Sequence, residues 1–128
     1  MDERQIDLSK YRIQEAKDSL RVAERCLDDG FYKDSINRSY YAAFYCVKAV
    51  LALGTVDFKR HKDVMAYVAT NIFPRELGRK LGTLKQLREK SDYDDFYIAS
   101  KAQALEQLET AKTTFEHIDK YLSDKNEK

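Results

Sequence analysis

The sequence predicts an all-α fold, an up-and-down antiparallel bundle of about five helices. Apolar residues recur at three- and four-residue spacing through most of the chain. The 128 residues include only four glycines and one proline, so long helices are rarely interrupted. No strand-like alternation of useful length appears, and no internal repeat. One domain with one core is expected over residues 1–128, the core at 8–122 and a frayed polar tail at 123–128.

Helix 1 is expected over 7–29, with Asp7 as N-cap and Gly30 as the terminating residue. Leu8, Tyr11, Ala16, Leu20, Ala23 and Leu27 fall on one face. Helix 2 is expected over 31–53, ending at Gly54, and its surface divides into three stripes. Ile36, Tyr40, Ala43, Phe44, Val47, Val50 and Leu51 are apolar. Ser35, Ser39, Ala42, Cys46 and Ala49 are small and allow another helix to approach closely. Arg38, Tyr41, Tyr45 and Lys48 form the third. So little charge implies a central helix, covered on most sides.

A loop is expected over 55–60 and a short helix over 61–73. Pro74 then fits the start of a helix that runs to about residue 90 through Leu77, Leu81, Leu84 and Leu87. Gly78 and Gly82 weaken that helix, and they mark either close packing or a flexible first half. Residues 91–99 read as a polar-aromatic connection. Ser100 and Gln103 match a capping box. The last helix follows to about residue 122, with Ala104, Leu105, Leu108, Ala111, Phe115, Ile118 and Leu122 inward.

Composition narrows the function classes. Hydrophobic residues make up 43% and charged residues 35%, the balance of a folded globular chain. No apolar run reaches the roughly 20 residues that span a bilayer, and the first residues lack a signal-peptide core, so no membrane contact and a cytoplasmic location are expected. Cys26 and Cys46 have no metal-like spacing and read as small core residues. There is no P-loop, nucleophile elbow or metalloprotease motif, so no metal and no cofactor are expected. Charge is uneven. Residues 59–90 hold nine basic and three acidic side chains, a formal +6, against −5 for the remainder. Such a stretch either attracts phosphate or forms a solvated helix face.

Two motifs stand out: Asn37-Arg38-Ser39-Tyr40-Tyr41-Ala42-Ala43-Phe44-Tyr45 on helix 2, and Arg88-Glu89-Lys90-Ser91-Asp92-Tyr93 at the end of the helix after Pro74. With His61-Lys62 between them, they resemble the HEPN domain, in particular its small stand-alone bacterial and archaeal members. The resemblance spans roughly residues 8–122. It implies a helical bundle, usually dimeric. It implies a nucleotide- or RNA-associated role, and often one half of a toxin–antitoxin pair with a small nucleotidyltransferase. Catalytic members cut RNA with an arginine followed after four to six residues by histidine, which makes Arg88 the candidate. Here no histidine follows, and Asp92 and Tyr93 hold the fourth and fifth positions. Family toxins can also be inactivated by nucleotide transfer to a tyrosine near the motif. Tyr93 and Tyr97 are the candidates, although Asp95 holds the seventh position after Arg88.

The candidate catalytic set is therefore Arg88, Asp92 and Tyr93, and the candidate nucleotide or RNA set is Asn37, Arg38, Tyr41, His61 and Arg88. A guanidinium suits phosphate because its planar donors bind two oxygens at once. Tyrosine, with a pKa near 10, is a poor base for activating a 2′-hydroxyl at neutral pH. Arg38 has two readings: a buried ion pair with Asp92 or Asp94 across the bundle, or a phosphate pocket shared with Arg88. Tyr40 reads as core. Tyr41 and Tyr45 suit base stacking or a dimer interface. His61 opens the short helix, where histidine more often satisfies backbone groups. His117 shows no ligand spacing. The strongest expectation is that Arg38 and Arg88 converge beside tyrosine hydroxyls and carboxylates in a positive recess at a subunit boundary.

Overall fold

The computed structural model describes residues 3–53 and 73–126. Within them four helices form: α1 (Glu3–Asp28), α2 (Tyr32–Leu53), α3 (Arg75–Tyr93) and α4 (Lys101–Asn126). The loop expected at 55–60, nearly all of the short helix at 61–73, the terminator Gly54 and His61 lie outside the described residues. No helix among the described residues is long and apolar enough to cross a membrane.

The central position of α2 follows from its composition. Its apolar and small stripes are buried from Ser35 to Val50, while Tyr41, Tyr45 and Lys48 are half-buried at the edge. The small stripe receives α1. Ser9 Oγ donates to the Ala49 carbonyl at 2.8 Å, and Ser35 Oγ donates to the Ala23 carbonyl at 2.9 Å. Early α1 thus meets late α2 and late α1 meets early α2, so the two run antiparallel. Each serine satisfies its own buried hydroxyl without displacing a backbone bond.

That close approach corrects the reading of α1. The helix starts at Glu3, so Asp7 lies inside it and caps nothing. Its buried residues are Ser9, Ala16, Ser19 and Ala23, whereas Leu8 and Tyr11 are exposed. Small residues, not large apolar ones, centre the face because they let α2 come near. Gly30 ends the turn as expected, at φ +85°, where a side chain would be strained.

Pro74 sits just before α3, and its carbonyl accepts the first intrahelical bond, from Gly78 N–H at 3.1 Å. Leu77, Leu81 and Leu84 bury their side chains. The helix continues one turn beyond the expected residue 90, to Tyr93, and Asp94 N–H closes it on the Lys90 carbonyl. The expected capping box forms: Ser100 N–H donates to Gln103 Oε1, and Gln103 N–H donates to Ser100 Oγ, both at 3.1 Å. Helix α4 runs past 122 to Asn126. Its inward face holds Gln107, Thr110 and Thr114 beside the apolar residues, while Leu105, expected inward, is 46% exposed. Lys112 of α4 reaches Glu24 of α1 at 2.6 Å. Both cysteines are free thiols, and burial pushes the Cys46 thiol well up.

Candidate functional site

The site is built where the third stripe of α2 meets the last turns of α3. Tyr40 and Tyr41 are neighbours in sequence, so their rings splay by about 100° around the helix. They meet edge to face with centroids 5.4 Å apart. Tyr40 stacks on Phe44 one turn later, at 6.2 Å and nearly parallel. Tyr41 packs against Tyr45 at 6.3 Å. This ladder makes a rigid aromatic wall.

Arg88 lies against the wall. Its guanidinium carbon stands 5.1 Å from the Tyr40 ring centre and 5.6 Å from that of Tyr41. Nη2 donates to the Tyr41 hydroxyl at 3.1 Å. Asp92, one turn further along α3, brings Oδ2 within 3.1 Å of Nε. That approach is close in distance but off the N–H axis, since buried Nε makes no aligned hydrogen bond. It is an ion contact, not a bidentate fork. Burial works against the charge of Arg88, but Tyr41, Asp92 and the hydrogen bond outweigh it, so its pKa lies above the ordinary arginine value. Burial raises the Tyr40 pKa as well, and the nearby Arg88 charge offsets this only in part. Tyr40 is therefore a protonated platform and no base.

The structure brings together Arg88, Tyr41 and Asp92 from the expected set. Half-buried Asn37 precedes Tyr41 by one helical turn. Arg38 makes none of these contacts. It is exposed, and its charge is felt at Cys26 of α1. The carboxylates proposed for it are engaged elsewhere, Asp92 with Arg88 and Asp94 Oδ1 with Phe96 N–H at 3.0 Å. A buried Arg38 ion pair is thus ruled out. An exposed guanidinium on the outer stripe is cheaper than one that must be desolvated. Tyr93 stands 80% exposed. The Tyr97 hydroxyl donates to Gln103 Oε1 at 2.8 Å. His117 packs its ring edge-on to Phe73 at 5.5 Å. No cluster of three or more His, Cys, Asp or Glu suited to a metal occurs among the described residues.

Sequence reasoning missed the part Tyr40 plays beneath Arg88. The contact joins residues 48 apart in the chain, and no local pattern in the sequence links them. The connection after α3, read as polar-aromatic, leaves Tyr93, Phe96 and Ile98 exposed.

Comparison with known proteins gives one consistent result. The HEPN domain model matches residues 9–121. "Putative toxin MJ0142" of Methanocaldococcus jannaschii is 30% identical over 119 residues, covering 89% of this chain and 81% of that protein. A UPF0332 protein of Thermotoga maritima is 28% identical over 116 residues, covering 81% of this chain and 88% of its own. Among solved structures, TT1696 from Thermus thermophilus superposes with a TM-score of 0.73 at 22% identity, covering 88% of this chain and 96% of that one. This last likeness bears on the fold alone.

Proposed function

The chain belongs to the HEPN domain family, and from that membership we propose that it binds the phosphates of a nucleotide or RNA through Arg88 and acts as a homodimer. One observation carries this reading: a guanidinium fixed on two tyrosine rings and a tyrosine hydroxyl, near the end of a helix rich in basic residues. Fixing the side chain lowers the entropy lost when a phosphate engages it. Lys85 and Lys90 lie within a turn of Arg88 on α3 and add to the local field, partly offset by Glu89. Relatives named as putative toxins support a toxin role, and the family resemblance extends that proposal to a small nucleotidyltransferase as partner. In such a pair Tyr93 is the more accessible tyrosine for nucleotide transfer, because Tyr97 has its hydroxyl on Gln103.

A ribonuclease reading ranks lower. Cleavage without metal needs a group that takes the 2′-hydroxyl proton near neutral pH, and no histidine stands among the described residues around Arg88. The test is titration of transfer RNA and of ATP at rising salt. Binding should weaken steadily with salt, and Arg88→Ala should lose about tenfold or more in affinity. Salt-independent binding, or an Arg88→Ala protein that binds as well as the parent, overturns the proposal. Loss of the RNA itself during the titration, with chelator present and dependent on Arg88, would favour the nuclease.

A further inference from the structure

The stripe of α2 that carries Tyr41 continues for about two turns beyond the contact with Arg88. Tyr45 is half-buried and packs against the tilted rings of Tyr41 and Phe44, both at 6.3 Å. Lys48 follows, also half-buried, with Nζ 5.5 Å from the Phe44 ring centre. Helix α3 runs alongside in the opposite sense. Leu53 at the end of α2 and Leu122 near the end of α4 line one recess, and Phe73, just before α3, packs on His117 of that same part of α4. The far end of α3 brings Arg88 to Tyr41. One turn back from Arg88 is therefore level with one turn beyond Tyr41. Half-buried Lys85 stands at that level, three residues from Arg88 and neighbouring it on the helix surface.

These groups differ in what they have left to offer. Arg88 occupies the rings of Tyr40 and Tyr41, so Tyr45 is the tyrosine of this stripe that no cation covers among the described residues. Lys48 and Lys85 make no ion pair with a carboxylate among the described residues, whereas Arg88 has Asp92. Asp92 and exposed Glu89 temper the field at the Arg88 end. The order along α2 is thus cation, ring, cation over about 10 Å. A free nucleotide carries its phosphates at one end and its base at the other, and it would leave one of the two cationic ends unmatched. A nucleotide inside a strand has a phosphate on each side of its base. We infer, resting on the reading of Arg88 as a phosphate ligand, that this seam takes a single-stranded nucleic acid. One phosphate lies on Arg88 and Lys85, the next on Lys48, and the base between them stacks on Tyr45. A duplex keeps its base faces within its own stack and offers none to the ring.

The test titrates AMP, adenosine 3′,5′-bisphosphate and single-stranded hexaadenylate, as RNA and as DNA, into the full chain by calorimetry. The bisphosphate should bind about fivefold or more tighter than AMP, because it alone of the two reaches both cationic ends. The hexamers should bind at least as well, and the tighter one names the sugar of the strand. Lys48→Gln keeps its stem against Phe44, and it should bring the bisphosphate down to the affinity of AMP. The same substitution should lower the salt slope of hexamer binding by about 0.7. Tyr45→Leu should weaken hexamer binding about fivefold or more. A bisphosphate that binds no better than AMP, a duplex that binds as well as the single strands, or Lys48→Gln and Tyr45→Leu proteins that bind like the parent overturns the inference. If Arg88→Ala still loses affinity in that case, the phosphate reading of Arg88 stands without it. If Arg88→Ala binds every ligand like the parent, both fall. A dimer that Lys48→Gln dissociates, with affinity for all four ligands unchanged, also overturns the inference, because the stripe is then an interface between copies.

Discussion

Ten residues separate two treatments of aromatic and apolar side chains. At Arg88 the rings of Tyr40 and Tyr41 are covered, one by burial and both by a guanidinium. At Tyr93, Phe96 and Ile98 the side chains stand open to solvent, yet their backbone is tied down. The first arrangement spends its rings on stability and on fixing a cation. The second leaves its apolar area uncovered by the described residues. Ring content alone therefore does not mark a binding surface. What matters is whether intramolecular contacts have already consumed the ring faces.

The sharpest way to break this contrast is to truncate one ring on each side. Tyr40→Ala should cost about 3–5 kcal/mol, as emptying a large aromatic out of a core does, with Arg88 losing its platform as well. Phe96→Ala should change stability by less than about 0.5 kcal/mol. Urea unfolding of both variants measures the difference, and similar values would show that the connection is part of the core. Alkaline pH probes the same ring more gently. Tyr40 has a raised pKa in the fold, so its contribution is complete below the ordinary value near 10 and fades as pH climbs through the folded value. Tyr40→Phe should remove part of that alkaline loss.

The two regions also differed in how far they were legible. The three stripes of α2 were read correctly because burial on nearly every side leaves a composition signal that no partial exposure blurs. The capping box and Gly30 were legible because each is a local rule closed within a few residues. Leu8, Tyr11 and Leu105 were misplaced because large apolar residues were taken to mark the buried face. On α1 the face is set by serines and alanines that permit close approach, and serine carries no hydrophobic signal. Arg38 was misread for a related reason: periodicity names a stripe, while only packing decides whether that stripe is covered. Of the candidate site, Arg88 and Asp92 were visible as an i, i+4 pair. Tyr40 was not, since nothing local in sequence joins it to residue 88.

Helix α3 carries Arg88 into place, and its glycines offer an intermediate effect. A Cβ at Gly82 would meet nothing within 4 Å, and the residue is exposed in regular helix. Close packing therefore does not explain it, and Gly82→Ala should stabilise by about 1 kcal/mol. At Gly30, with φ +85°, the same open space does not help, because the backbone conformation disfavours a side chain. Gly30→Ala should destabilise by about 1 kcal/mol. Thermal unfolding that gave both substitutions the same sign would contradict the helical geometry assigned to Gly82.

The smallest expected effect bears most directly on what Asp92 does for Arg88. Its carboxylate is close to Nε but poorly aligned, and the pair is 21% and 32% exposed in its side chains. Such a contact contributes little stability. Asp92 also lies in the last turn of α3, where the helix dipole disfavours negative charge. Asp92→Asn should therefore alter stability by less than about 0.5 kcal/mol in either direction. Toward a phosphate, the carboxylate is a repulsive neighbour. A unit charge about 6 Å away in water is worth about 0.7 kcal/mol, or about threefold in affinity. Asp92→Asn should tighten transfer RNA binding by about that factor at low salt, with the gain shrinking as salt rises. If affinity falls instead, the carboxylate orients the guanidinium more than it competes for it. The positioning of Arg88 would then rest on α3 itself rather than on the tyrosine wall of α2.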